Sequence, residues 1–244
     1  MKTLLCFAAG LAGVLLTGCT TYIPPGPKAD LASFAPASIQ EGFDRKPTSP
    51  FPASIVAVRL QGPDYTNLNL SRNGGEKPGD RFSVILTREV EDGADMQRLT
   101  SLPRIAGLGT LNRMLLPAQI RSEDDVRAAV SKIQGDLTLV YTFDTAFYDH
   151  DISKPLSVIT LGLSPTRNIR DVTTASALLV DTRTGFIYST YEVTEKRSTV
   201  ATSWGSADSA DEVRRTTEKA AFRKLIDEFI EKWPLILAKY DKKG

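Results

Sequence analysis

The sequence predicts a single α/β domain in which helices pack on a mixed central sheet. Three observations support this prediction. Short β-branched segments alternate with helical ones, the segment LTLVYTF at Leu137–Phe143 is apolar enough for a central strand, and a long amphipathic helical pattern follows the last strand. Because 41% of the 244 residues are hydrophobic, the chain can bury one sizeable core. We therefore expect one globular domain over residues 53–244.

The first half of this domain combines strands with a turn-rich insert and a short helix. The segment ASIVAVRL at 53–60 is β-branched and alternating, which predicts the first strand. Residues 62–80 contain Gly-Pro, Asn-Gly-Gly and Pro-Gly, so they predict an exposed loop or broad hairpin. The next predicted elements are a strand at Phe82–Thr87, a helix at Asp95–Leu102 that ends before Pro103, and a short strand at Arg104–Leu108.

A capped helix and a hairpin follow. Ser122 precedes three acidic residues, as is typical of a helix start, and the predicted buried face comprises Val126, Ala129, Val130 and Ile133. Gly135-Asp136 ends this helix and leads into the central strand Leu137–Phe143. Two further strands, Thr173–Asp181 and Phe186–Val193, are predicted to form a hairpin whose turn residue Gly185 adopts positive φ.

The last element is a long amphipathic helix. Ser209 and Glu212 have the spacing of a capping box, and Pro234 is expected to stop or kink the helix. Packing on the sheet is the favoured role of its apolar stripe, and a groove for a partner is the alternative. The stripe consists of Val213, Ala220, Phe222, Leu225, Ile226, Phe229 and Trp233.

The N-terminal residues have the pattern of an export signal. Lys2 precedes an apolar run at Leu4–Leu16, which is too short to span a membrane. Leu16-Thr-Gly-Cys19 then resembles the lipobox of bacterial lipoproteins. This resemblance implies a signal peptide at 1–18, cleavage between Gly18 and Cys19, and a diacylglycerol on the sulfur of Cys19. An ordinary cleaved signal or an unprocessed apolar tail is the alternative.

The residue after the cysteine bears on location. Many relatives that stay in the inner membrane carry an aspartate there, whereas this chain has Thr20. The resemblance therefore implies a lipid-anchored protein at the periplasmic face of the outer membrane.

Residues 19–52 are predicted to carry the lipid anchor and a proline-rich tether. Seven prolines lie between Thr20 and Pro52, and proline favours extended conformations that would hold the domain away from the membrane. In a second reading, part of this stretch, Ile39–Phe51, lies along the domain as an ordered strap. Both readings are compatible with the sequence.

Composition excludes several functions. The chain has 30 basic and 29 acidic residues, and removal of Lys2 with the signal would leave a formally neutral protein, which argues against nucleic-acid binding. Cys6 lies in the signal and Cys19 would be acylated, so no disulfide or thiol chemistry is expected.

No catalytic, metal or cofactor site is predicted. The sole histidine, His150, lies in Tyr148-Asp-His-Asp151, which we interpret as an exposed polar loop because one imidazole cannot complete a zinc site and no nucleophile elbow accompanies it. Glu123, Asp124 and Asp125 are explained by the helix start. The apolar run 156–163 is read as a buried or edge strand, or as an exposed patch for self-association or for a partner. We therefore expect a protein that is not an enzyme.

The order of elements resembles one lipoprotein family. A helix, Gly135-Asp136, an apolar strand, the hairpin ALLVDTRTGFIY at Ala177–Tyr188 and a long helix resemble the lipoproteins around the curli-secretion channel, whose fold is shared by activators of penicillin-binding proteins. The chain departs from the family in lacking a helix directly after the first strand.

The resemblance implies a function as well as a fold. It indicates a periplasmic binding or adaptor lipoprotein that assists an envelope assembly or secretion complex through a protein partner. The alternative is a subunit of an oligomeric outer-membrane export channel, which would be a homo-oligomer.

Overall fold

The structure is a computed structural model that describes residues 26–63, 65–67, 81–151, 166–202 and 206–241. In this part of the chain six strands form one mixed sheet: β1 Ala53–Gln61, β2 Ser83–Ile85, β3 Ile105–Thr110, β4 Leu137–Asp151, β5 Thr166–Asp181 and β6 Ile187–Thr202. The α-helices are α1 Ile39–Asp44, α2 Gly93–Thr100, α3 Glu123–Ser131 and α4 Ser206–Tyr240, and short 3₁₀ turns lie at Leu31–Phe34 and Arg113–Leu115. The predicted α/β fold is confirmed.

The sheet joins a parallel part to an antiparallel part. Its order is β2-β1-β4-β5-β6, with β3 also pairing with β1. Strand β1 is parallel to β3 and β4, whereas β4, β5 and β6 form an antiparallel meander. On one edge of β1, strand β3 pairs with residues 53–57 and β2 with residues 59–61. The sheet therefore splits beside Val58.

Helix α4 covers one face of the sheet. Its side chains Phe222, Leu225, Phe229 and Trp233 are buried against β-strand residues such as Leu139. The predicted apolar stripe thus packs on the sheet, which removes its side chains from water.

The opposite face is covered by α3 and by the segment before β1. Val126 and Val130 of α3 pack with Val56 and Val140 of the sheet, as the helical pattern predicts. Phe34 is 1% exposed and lies 6.1 Å, ring centre to ring centre, from Phe82. Since both faces are covered, the central strands are buried on both sides.

One prediction about α4 is wrong, and one of the two alternatives for Pro234 is excluded. The helix begins at Ser206, so Ser209 lies within its first turn and does not cap it. Pro234 does not stop the helix, which continues to Tyr240. Trp233 and Ile236 on either side of the proline are buried, and their packing outweighs the loss of one helical hydrogen bond.

The strands of the meander are longer than their apolar segments. Tyr148–Asp151 was predicted as a loop but belongs to β4, and His150 pairs with Asn168 of β5. The loop prediction is therefore wrong. Backbone hydrogen bonds between β4 and β5 continue past the point where the alternation of polar and apolar side chains ends. A prediction from that alternation alone therefore placed the end of β4 too early.

Residues 26–52, called the strap below, lie along the domain. Gly26 donates a backbone hydrogen bond to Thr66, Lys28 forms a bridge with Gln61, and Ala29 donates to the Thr142 hydroxyl at 2.9 Å. The reading of Ile39–Phe51 as an ordered strap agrees with the structure, and the described residues before it, from Gly26, also contact the domain. The part of the proline-rich segment that the structure describes is therefore packed on the domain and not extended away from it.

Several predictions lie outside the described residues. They concern the signal and lipobox within 1–25, most of the insert 62–80, and the apolar run 156–163. In the part that the structure describes, none of the helices combines the length and the hydrophobicity needed to span a bilayer.

Candidate binding cleft

A cleft opens beside β1, between the segment that pairs with β3 and the segment that pairs with β2. It has a volume of about 140 Å³ and lies at the carboxyl end of β3, beside residues 57–59 of β1. In open α/β sheets this edge, where neighbouring strands separate, is the common place for a ligand. The lining residues are Ala57, Val58, Arg59, Val84, Ile85, Leu86, Arg88, Glu91, Met96, Thr110, Leu111 and Tyr141.

Arg59 is the buried cation of this cleft. Its Nη2 donates to the Tyr65 hydroxyl at 3.0 Å and to Glu218 at 3.1 Å. Its Nε and Nη1 have no hydrogen-bond partner, although Nη1 lies 3.9 Å from carboxylate oxygens of Glu89 and Glu91. Two nitrogens of this fully buried guanidinium are therefore left without a hydrogen-bond acceptor.

The charge of Arg59 is secured by its surroundings. Burial opposes the charged form, but the acidic groups of Tyr65, Glu218 and Glu91 outweigh burial and raise the pKa of Arg59 above its usual value. The guanidinium also lies 4.7 Å from the ring centre of Phe143, which adds a cation–π contact. Arg59 acts as a permanent donor and not as an acid or base.

A second buried arginine joins α4 to this site. Arg214 binds both oxygens of Glu89, at 3.0 and 3.2 Å, and donates to Glu218 at 2.8 Å and to Asp211 at 3.0 Å. A buried ion pair of this kind contributes little net stability but fixes geometry, since removing one partner leaves an uncompensated charge. We call Arg59, Arg214, Glu89, Glu91, Glu218 and Asp211 the buried ion cluster.

The accessible lining of the cleft is mostly polar, although several of the residues around it are aliphatic. The Tyr141 hydroxyl donates to Glu91 at 2.8 Å, and burial, reinforced by the charge of Glu91, raises the pKa of Tyr141 well above its usual value. Tyr141 therefore stays neutral and keeps Glu91 oriented. The cleft therefore presents polar groups in fixed positions, which suits binding better than proton transfer.

The two motifs that carried the family resemblance meet at the opposite end of the sheet. Asp136 pairs with Arg183 at 2.8 Å, and the backbone N–H of Thr182 donates to the Asp136 carbonyl at 3.0 Å. Gly135 is required here, because a Cβ at this position would lie 2.5 Å from Val130 Cγ1. These contacts lock the end of α3 to the hairpin.

Asp181 is the anchor of this region. Its carboxylate accepts the backbone N–H groups of Thr48, Ser49, Arg183 and Thr184 and the Tyr188 hydroxyl at 2.7 to 3.1 Å. Burial favours the protonated acid, but these donors outweigh it and lower the pKa of Asp181. Gly185 has φ 71°, which confirms the predicted positive-φ turn. The cluster therefore has a structural role, holding the hairpin and the strap together.

The acidic residues after Ser122 also have a structural role. Helix α3 begins at Glu123, and the Asp125 carboxylate accepts the backbone N–H groups of Arg121 and Ser122 at 2.8 and 3.2 Å. Asp124 pairs with Arg127 on the same helix. Within the ranges that the structure describes, no group of three or more His, Cys, Asp or Glu side chains could hold a metal ion.

The sequence analysis did not predict the residues of the cleft or of the buried ion cluster. Two features of the sequence could have identified them. Arg59 continues the spacing of Ala53, Ile55 and Ala57, so a charged residue occupies a position on the buried face of β1. Arg214 and Glu218 lie four residues apart beside Val213 on the buried face of α4. A charge at a buried position of a strand or helix predicts a partner charge nearby.

Comparisons with known proteins leave the family open. No family model matches the chain, and no curated protein matches it. Among solved structures, the chain is similar to the crystal structure of protein XCC0632 from Xanthomonas campestris, of the family DUF330, with 14% sequence identity and a TM-score of 0.25. The match covers 92% of this chain and 100% of the other. At that TM-score the similarity carries no argument about fold or function.

Proposed function

We propose that this protein is a lipid-anchored binding or adaptor protein of the bacterial cell envelope. In this proposal Cys19 holds it at the periplasmic face of the outer membrane, where it assists an assembly or secretion complex. The observation that supports a binding role is the cleft beside Arg59, whose accessible lining is mostly polar and whose charged side chains are held in place by the buried ion cluster. Lipid attachment rests on the resemblance of Leu16–Cys19 to a lipobox.

The strap limits the distance between the domain and a lipid-anchored Cys19. Gly26, seven residues after Cys19, contacts the domain through its backbone hydrogen bond to Thr66. A fully extended chain spans at most about 3.6 Å per residue, so these seven residues reach about 25 Å. A lipid-anchored protein with this strap therefore works close to the membrane surface, and its partner lies there too.

Lipid attachment is tested by labelling cells with radioactive palmitate. The wild type and Cys6→Ala are expected to carry the label and to sediment with membranes, whereas Cys19→Ala should carry none. Cys6→Ala is the matched control, because it removes the other cysteine from the predicted signal. Label that persists in Cys19→Ala would reject the anchor.

The binding role is tested by photo-crosslinking in cells. A photoreactive amino acid replaces Leu111 at the cleft or, as control, Leu235, which is 70% exposed on α4. Leu235 lies near Trp233, whose Nε1 bonds Pro103 just before β3, at the opposite end of the sheet from the cleft. Crosslinks to one envelope protein from position 111 and not from 235 support an adaptor. Crosslinks only to further copies of the chain, with a multiple of its mass in detergent, indicate the channel alternative.

A further inference from the structure

Two apolar side chains protrude from the strap. Ile39 is 83% exposed and Phe43 is 74% exposed, and both belong to helix α1. Because they lie four residues apart, they share one face of this helix. Single exposed apolar residues are normal on a protein surface, whereas neighbouring ones form a continuous apolar surface that water covers at a cost. We call Ile39 and Phe43 the apolar pair.

The helix that carries the apolar pair is fixed to the domain. Ser38 Oγ accepts the backbone N–H of Glu41 at 3.1 Å, and the Glu41 carboxylate accepts that of Ala37 at 2.9 Å. Arg45 donates to the Glu41 carboxylate at 3.1 Å and to the carbonyl of Gly185, in the β5–β6 turn, at 3.1 Å. These bonds hold α1 against the hairpin, so the apolar pair is presented in a fixed position.

The strap runs from one end of the sheet to the other. Lys28 bridges with Gln61 at the end of β1, whereas Thr48 donates to Asp181, which the strand pairing places level with Ile55. Ile55 and Gln61 are six positions apart in β1, which corresponds to about 20 Å. Helix α1 therefore lies roughly this far from the start of the strap, along the length of the sheet.

A lipid on Cys19 would keep this surface near a bilayer. Gly26 contacts the domain, and the chain from Cys19 to Gly26 spans at most about 25 Å. Such a short tether makes contact between the domain and the membrane intramolecular, so a surface with weak affinity for lipid becomes occupied. A free partner in solution gains no such advantage.

The size and the charge of this surface favour lipid over protein as its occupant. A stable protein interface needs roughly 800 Å² on each partner, which is more than two side chains provide. The apolar face of an amphipathic helix, by contrast, enters the boundary between head groups and acyl chains by about 5 to 10 Å. Residues 38–48 carry two acidic and two basic side chains, so this contact does not require anionic lipids.

We infer that Ile39 and Phe43 insert into the surface of the bilayer and lay the strap side of the domain on the membrane. This inference rests on the lipid attachment proposed above, which supplies the proximity. The lipid keeps the domain at the membrane, and the apolar pair determines which side of the domain faces it. Helix α4, on the other face of the sheet, then points away from the membrane.

Fluorescence quenching measures the insertion. The lipidated full chain with Phe43→Trp is reconstituted into phosphatidylcholine vesicles with or without bromine on the acyl chains, because bromine quenches tryptophan inside a bilayer. The wild type supplies the signal of the native Trp204 and Trp233. Bromine should quench the emission that Phe43→Trp adds, but not the emission that Leu235→Trp adds on α4. Quenching of both variants to the same extent, or of neither, overturns the inference.

A second substitution tests whether both members of the apolar pair enter the bilayer. Ile39→Glu, added to Phe43→Trp, should lower the population that lies on the strap side by at least about tenfold, so that the quenching is lost. Leu235→Glu, added to Phe43→Trp, makes the same exchange on α4 and should leave the quenching unchanged. Positions 39 and 235 are both exposed, so neither change should affect folding. Quenching that persists with Ile39→Glu contradicts the inference.

The failure of the anchor can be distinguished from the failure of this inference. If cells attach no palmitate, the Cys19 thiol of Cys6→Ala is coupled to a maleimide phospholipid, and the quenching is measured with that anchor. Quenching then supports the membrane surface and rejects the natural lipid, whereas palmitate label without quenching supports the lipid and rejects the surface.

A protein occupant is the remaining outcome. A photoreactive residue at position 43 should crosslink to lipid in cells. Crosslinks to one protein, together with no quenching in vesicles, would assign the apolar pair to a protein contact and overturn the inference.

Discussion

The carboxylate of Asp181 accepts the backbone N–H of Thr48 at 2.7 Å, across 133 positions of the chain. The same carboxylate accepts the N–H groups of Arg183 and Thr184 in the β5–β6 turn. One buried group therefore satisfies donors of the strap and of the hairpin at once. The strap can dock fully only when the turn has formed, which makes the two segments part of one cooperative unit.

Replacing Asp181 should release the strap. Asp181→Ala leaves buried N–H groups of both segments without an acceptor, so we expect a loss of at least about 2 kcal/mol in the free energy of unfolding. Denaturant unfolding measures this loss, and limited proteolysis should show faster cleavage within residues 38–48. Asp44→Ala on the surface of α1 is the control and should change stability by less than about 0.5 kcal/mol. Unchanged proteolysis in Asp181→Ala would contradict the anchoring role.

Asp171 should make stability depend on pH. It is fully buried on β5, and burial raises its pKa to about 7, with Glu218 acting in the same direction and Thr217 and Arg214 opposing. Between about pH 4 and pH 7 the folded state holds a proton that the unfolded state has released, so stability falls as pH rises through this window and is then constant.

The variant Asp171→Asn removes this dependence. The wild type loses stability between pH 4 and pH 7 and the variant does not, so the melting temperature of the variant minus that of the wild type should rise over this range and stay level above it. Groups that titrate in both proteins cancel in this difference. Thermal melts at pH 4, 5, 6, 7 and 8 provide the measurement, and Asp44→Asn serves as the surface control. A constant difference across this range would show that Asp171 is ionised in the folded protein throughout.

Phe229 should be a major contributor to stability. It is 1% exposed and stacks between Tyr191 and Trp233, with ring centres 5.4 and 5.5 Å away. Phe229→Ala is therefore expected to cost about 3 to 5 kcal/mol, whereas Leu235→Ala, exposed on the same helix, should cost less than about 0.5 kcal/mol. Denaturant unfolding compares the two. Equal losses would mean that the buried and exposed sides of α4 are wrongly assigned.

Two side chains of α4 protect the edge of the sheet. Strand β6 is last in the sheet order, and there Glu228 accepts the backbone N–H of Glu192 at 3.2 Å while Lys232 donates to the Thr190 carbonyl at 2.9 Å. Such capping occupies groups that would otherwise pair with a strand of another chain. Removing both caps should therefore expose the edge.

The double variant Glu228→Ala/Lys232→Ala is expected to self-associate. Light scattering should show a larger mass that increases with protein concentration. The control Glu231→Ala/Lys239→Ala removes the same charges from positions exposed to solvent and should leave the mass unchanged. Identical masses for the two variants would mean that the caps do not limit edge pairing.

Local patterns were enough to predict most elements of this fold. The alternation in ASIVAVRL, the start of α3 after Ser122, the positive φ of Gly185 and the buried stripe through Phe229 are all present in the structure. Each depends on residues a few positions apart, because helical and strand periodicity and turn geometry act over that range. The lipidation of Cys19 is also read from neighbouring residues, and it stays a prediction.

Tertiary contacts decided the rest. Helix α4 starts at Ser206 and passes through Pro234, β4 continues to Asp151, and residues 26–52 lie along the domain. The cleft exists because β2 and β3 share one edge of β1, and Arg59 meets Glu218 only after α4 has packed on the sheet. These arrangements form because segments that are distant in sequence bury their apolar surfaces against one another. The spacing of residues along the chain determines which side chains each helix or strand buries. It does not determine which distant residues those side chains contact.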